Sequence, residues 1–123
     1  MSADIALAAP VLMLILLTIV QFALWSHATH MAQTAAAEGL SATRVYAGTT
    51  ADGEARALNT IAQLGDGPLR EVTVHAGRGP DQARVEVTGV TATVIPFLRL
   101  PVHAEAAGPV ERFAPDIGDG TEP

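Results

Sequence analysis

Between Ile5 and Trp25 the chain reads IALAAPVLMLILLTIVQFALW, and its only clearly polar side chains are Thr18 and Gln21. Wound as an α-helix with a rise of about 1.5 Å per residue, this run extends about 31 Å, close to the thickness of a bilayer's hydrocarbon core. A helix that is apolar on every side must be covered on every side, and a chain of 123 residues has little left over to cover one. Residues 1–25 are therefore predicted to be the membrane-spanning half of a helix, with Ile5, Leu12, Leu16, Val20, Phe22 and Trp25 among the lipid-facing positions. Two other readings stay open here. Small residues follow the run in SHATHMA, as at a signal cleavage site, although no basic residue precedes it. A buried core helix is the other.

Two residues interrupt the apolar pattern. Asp4 stands at its entrance, and Pro10 lies inside it. Proline offers no N–H to the carbonyl of Ala6 and crowds it, which predicts a bend near residues 6–10. By its position Asp4 suits a helix cap in the headgroup zone.

The remaining chain is poor in aromatics, which make up 4% of the whole, so its core has to come from Val, Leu, Ile and Ala. No cysteine is present, which excludes disulfides and thiolate metal sites. The net charge is −6, all seven basic residues are Arg, and none lies before Arg44 or in a run, which argues against nucleic acid as a partner. Arg44 is also the nearest cation to the span. By itself it would place the C-terminal part on the cytoplasmic side.

Helical composition continues past Trp25. Met31, Ala35 and Leu40 recur at near-helical spacing, and the expectation is one long helix over about 4–46, stopped at Gly48. A second helix is expected over 51–64, with Leu58, Ile61 and Leu64 on its apolar side together with Ala55 and Ala62. The period then falls to two. Val72, Val74 and Ala76 alternate with polar residues, GRGPDQ reads as a turn, and Val85 and Val87 alternate again, which together predict a hairpin. Pro96 and Pro101 bracket a short connection, and VHAEAAGPVERF is a candidate third strand, kept at an edge by Gly108-Pro109. The expected fold is α+β: a long helix, a short helix and about three antiparallel strands. Its parts are the span (1–25), the rest of the first helix (26–48), a small head (49–113) and an acidic tail (114–123) expected to be disordered.

Sites for chemistry are weak. His27 and His30 share a helix face, but no third ligand accompanies them, and beside Trp25 they suit a membrane–water boundary. His75 and His103 are isolated in strand-like segments. The Gly-rich turns have neither the Lys-Ser/Thr of a phosphate loop nor the acid spacing of a calcium loop. No catalytic, cofactor or metal set is predicted.

The opening ADIALAAPVLMLILLTIVQFALW resembles that of TadE-like pilus-assembly proteins. Asp4, Ala6, Leu7, Pro10, Gln21 and Phe22 fall at the places of that family's pattern, and AQTAAAEGLSATRVYAG is similar to its Ala-rich continuation. GPVERFAP and the use of Arg without Lys are similar to actinobacterial members. The resemblance implies a pilin-like minor pilin or pseudopilin of a tight-adherence (type IVc, Flp) pilus, with no catalysis. It implies a cytoplasmic N-terminus and an extracytoplasmic head, against the charge reading above. It also implies partners: other pilin-like subunits (a TadF-like minor pilin, a Flp-type major pilin), the pilus membrane platform, a prepilin peptidase and the lipid bilayer. Asp4 would set subunit register by pairing with a neighbour's N-terminal amine, with Pro10 shaping the packing helix. The sequence departs from the family in having Asp for the usual Glu; for the family's basic leader ending in Gly, the expectation is that the chain is already the processed form, or starts further upstream, or is inserted unprocessed. The alternative is a single-pass membrane-anchored extracytoplasmic binding module unrelated to pili.

Overall fold

The computed structural model describes residues 3–65 and 67–111. The expected acidic tail, 114–123, lies outside the described residues, as does the end of the expected head. Ala, Leu and other good helix formers carry the first helix, α1, without a break over Ala3–Arg44, with Pro10 inside it. It ends two residues earlier than expected. The left-handed residue beyond it is Ala47 (φ 67°), and Gly48 N–H donates back to the Val45 carbonyl at 2.9 Å. The second helix, α2, spans Thr50–Leu64 and starts with a reciprocal cap. Thr49 Oγ1 accepts from Asp52 N (3.0 Å), and an Asp52 carboxylate oxygen accepts from Thr49 N (3.1 Å).

Three strands follow, β1 (Leu69–Arg78), β2 (Gln82–Thr91) and β3 (Pro101–Pro109), in the order β1-β2-β3 and antiparallel throughout. β3 is an edge strand, as its Gly-Pro end requires. The other edge, β1, carries an irregularity. Between Arg70 and Thr73 the register shifts, and Glu71 adopts φ 55°. Leu69 and Val72 are three apart and would face opposite sides of a regular strand; the extra residue turns both toward the core.

The core lies between the second half of α1, the inner face of α2 and one side of the sheet. Its α1 stripe is Ala28, Met31, Ala32, Ala35 and Ala36, and its sheet side is Leu69, Val85, Val87, Val102 and Ala104. Side chains this small let the helix lie close on the sheet. α2 turns Gly53, Ala57, Thr60 and Ile61 inward, while Ala55, Leu58, Ala62 and Leu64 remain exposed. This corrects the expected face, of which only Ile61 was rightly placed. The Leu spacing misled because α2 packs through its smallest residues. A Cβ on Gly39 would come within 2.9 Å of the Gly53 carbonyl oxygen, and one on Gly53 would overlap the Thr43 hydroxyl.

Arg78, at the end of β1, donates to the Thr43 and Val45 carbonyls at the C-terminal end of α1. There it satisfies carbonyls that the helix leaves open and meets the negative end of its dipole. On the facing helices, Arg56 of α2 pairs with Glu38 of α1 at 2.7 Å.

Candidate membrane and assembly surface

The first half of α1 has no cover. Its most apolar eighteen-residue window is 6% buried, and the helix is long and apolar enough to cross a membrane. Ile5, Leu12, Leu16, Val20, Phe22 and Trp25 are all exposed. So apolar a surface is out of place in water and fits lipid or other helices. Asp4 lies in the first helical turn rather than ahead of it. A carboxylate there meets the positive end of the helix dipole favourably.

Gln21 is the exception along this half. It is only 3% exposed, because the segment between β2 and β3 folds down onto it. Its Nε2 donates to the Ala92 carbonyl (3.1 Å), and its Oε1 accepts from Val94 N (2.9 Å) and Ile95 N (3.4 Å). One amide side chain thus satisfies three backbone groups of a loop that has no ladder of its own. One turn further on, Trp25 Nε1 donates to the Pro101 carbonyl at 3.4 Å, and its ring lies 6.1 Å from that of Phe22. An open groove of about 310 Å³ runs between helix and loop, lined by Thr18, Gln21, Phe22, Trp25, Ile95 and Leu98, among others.

The loop is also tied to the sheet. Thr91 N donates to the Leu100 carbonyl (3.0 Å) and Ala92 N to the Pro68 carbonyl (2.8 Å). Arg99 grips the Glu71 carboxylate with both terminal nitrogens, at 2.9 and 3.3 Å. The hydrogen bond from Arg99, and then its charge, hold the Glu71 carboxyl below the usual carboxylate range. The left-handed backbone of Glu71 at the bulge is what aims its side chain at the loop.

Elsewhere the polar residues form a solvated face. On the outer side of the sheet Glu86 and Glu105 stand directly opposite each other. Their repulsion is relieved on the diagonals, by His103 at 2.6 Å from Glu86 and Arg84 at 2.9 Å from Glu105. His103 therefore has the partner that strand position alone did not reveal. His75 is exposed, and so are His27 and His30 on α1. Among the described residues no group of three His, Asp or Glu could hold a metal ion.

Sequence reasoning missed two features of this surface. Gln21 stands in the sequence only as one of two polar side chains of the apolar run and as a place of the family pattern, and the contact explaining it lies 71 residues away. Glu38-Gly39 in the Ala-rich continuation is the seat of α2, through the Arg56 pair and the close approach at Gly53.

No curated protein and no solved structure matches this chain. A protein-family model does match its N-terminal part, where the bare apolar half of α1 runs into the Ala-rich stripe under the head. Residues 2–40 match the family described as TadE-like protein.

Proposed function

We propose that the chain is a non-catalytic, pilin-like minor pilin or pseudopilin that takes part in assembling a tight-adherence pilus. One observation carries the reading: the TadE-like match falls on a helix whose first half is apolar and bare while its second half is the spine of a folded head. A helix of that kind has its place in lipid before assembly and among other pilin-like helices afterward, with the head outside the cytoplasm. Its partners are then other pilin-like subunits, of the TadF-like and Flp-type kinds, the membrane platform and the prepilin peptidase. Asp4, exposed in the first turn, offers its carboxylate to the N-terminal amine of a neighbouring subunit, and Pro10 sets the course of the helix near that contact.

Asp4 variants test this in a strain that makes the pilus. An unpaired charge inside a membrane costs about 2.5–3.5 kcal/mol on insertion scales, whereas losing a favourable dipole contact at a helix start costs about 0.3–1 kcal/mol. Asp4→Glu should assemble normally. Asp4→Asn and Asp4→Ala should insert and express at parental levels yet lower the number of surface pili by tenfold or more, the equivalent of about 1.4 kcal/mol. Parental piliation by Asp4→Asn would leave the carboxylate with a local helix role only.

A further inference from the structure

The loop between β2 and β3, residues 92–100, reads ATVIPFLRL: two small residues, the five apolar residues Val94–Leu98, then Arg99 and Leu100. In its middle, Leu98 N donates to the Ile95 carbonyl at 3.3 Å, closing a four-residue turn with Pro96 at its second position and Phe97 at its third. Phe97 has φ 68°, a left-handed backbone that this position of a type II turn demands and that is normally met by Gly or Asn. A bulky side chain there is strained. The strain has a clear result: the Phe97 ring touches nothing and is fully exposed, with Val94 exposed beside it. The ties to Gln21, Trp25 and Glu71 hold this tip in place.

The height of those ties matters. They bring the loop level with Thr18–Trp25, inside the apolar run. Only Ile5–Leu16 is wholly clear of the head, and at about 1.5 Å per residue that stretch is about 18 Å long, well short of a hydrocarbon core of about 30 Å. If the head stayed out of the bilayer, the helix could not span. The span is restored only if the loop enters the membrane with the helix. The composition of the loop allows this, and Arg70 and Arg99 line a pocket at its base together with Leu98, long cationic side chains of the kind that suit a headgroup layer.

We propose that the β2–β3 loop is a second membrane contact of this chain, its Val94–Leu98 tip seated at the headgroup–acyl boundary of the leaflet that Trp25 reaches. The proposal rests on reading Ile5–Trp25 as a span. The head is then a body held upright on the bilayer at two points, with its polar sheet face turned to water.

The absence of cysteine permits single-site labelling of the full chain. Phe97→Cys, Val94→Cys, Leu12→Cys and His75→Cys would each carry an environment-sensitive dye, in vesicles of phosphatidylcholine and phosphatidylglycerol. Dyes at 97 and 94 should emit to the blue of the dye at 75, lose intensity to lipids spin-labelled near the headgroup, and resist aqueous iodide. The dye at 12 should be quenched by lipids labelled deeper in the chain, and the dye at 75 by iodide alone. Iodide quenching at 97 and 94 with lipid quenching at 12 would overturn the loop contact and leave the span standing. Protection of 97 and 94 from both quenchers would also overturn it, in favour of a protein neighbour. Iodide quenching at 12 as well would overturn the span and the loop contact together.

Discussion

Gly53 is the residue on which the two helices close. A Cβ there would overlap the Thr43 hydroxyl and press within 2.9 Å of the Gly39 carbonyl oxygen, which is backbone and cannot turn aside. Thr43 is fully buried, and its hydroxyl donates to that same carbonyl at 2.8 Å. Helix propensity alone says that Gly53→Ala should stabilise α2 by up to about 1 kcal/mol. Overpacking a filled site costs about 1–3 kcal/mol, and here the obstacle is rigid, so the net effect should be destabilising. Urea unfolding of the full chain in detergent, followed by circular dichroism, should show a lower midpoint for Gly53→Ala. Thr43→Ala in the same chain should recover part of the loss, because the two sites share one space. A higher midpoint for Gly53→Ala alone would mean that the helices do not cross here.

At the scale of elements, most of the fold was legible and most of the contacts were not. Both helices and all three strands follow from period and punctuation: the Ala-rich run, the change to alternation after Leu69, the turn at Gly79-Pro80-Asp81. The start of α2 was written in Thr49-Thr50-Ala51-Asp52, a cap signal that the reading passed over. What period cannot give is which face is buried. On α2 the Leu residues pointed to one side, while the Gly53–Ala57 approach to α1 selected another. Nor can it show a tie between distant elements, such as Arg78 reaching from β1 to the end of α1. That tie makes its own prediction. Arg78→Ala leaves helix carbonyls short of a donor, and bonds to a charged donor are worth about 1.5–3 kcal/mol, less where water can replace them. A loss of about 1–2 kcal/mol is expected in the same unfolding assay, with Arg78→Lys in between because it keeps the charge and loses the fork. A neutral Arg78→Ala would mean that water caps α1 equally well.

For the molecule as a whole, the boundary drawn after Trp25 from composition cuts through a working joint. Span and head are not two bodies on a string, because Gln21 and Trp25 belong to the helix by sequence and to the head by contact. A fragment that begins at Ser26 keeps every core residue from Ala28 on and should still fold with mixed helix and strand. It loses all three bonds from Gln21 and the one from Trp25, however, and with them the hold on residues 92–95. A fragment that begins at Thr18 keeps them. Amide exchange separates the two. An unmet buried backbone group costs about 1–3 kcal/mol, so the Val94 and Ile95 amides should exchange about tenfold or more faster in the shorter fragment. Amides of β2, such as Val85 and Val87, should be alike in both. Gln21→Ala in the longer fragment should reproduce the fast exchange at 94 and 95 without unfolding the sheet. If both fragments protect the loop equally, Arg99 and the strand ends hold it alone, and the boundary after Trp25 stands.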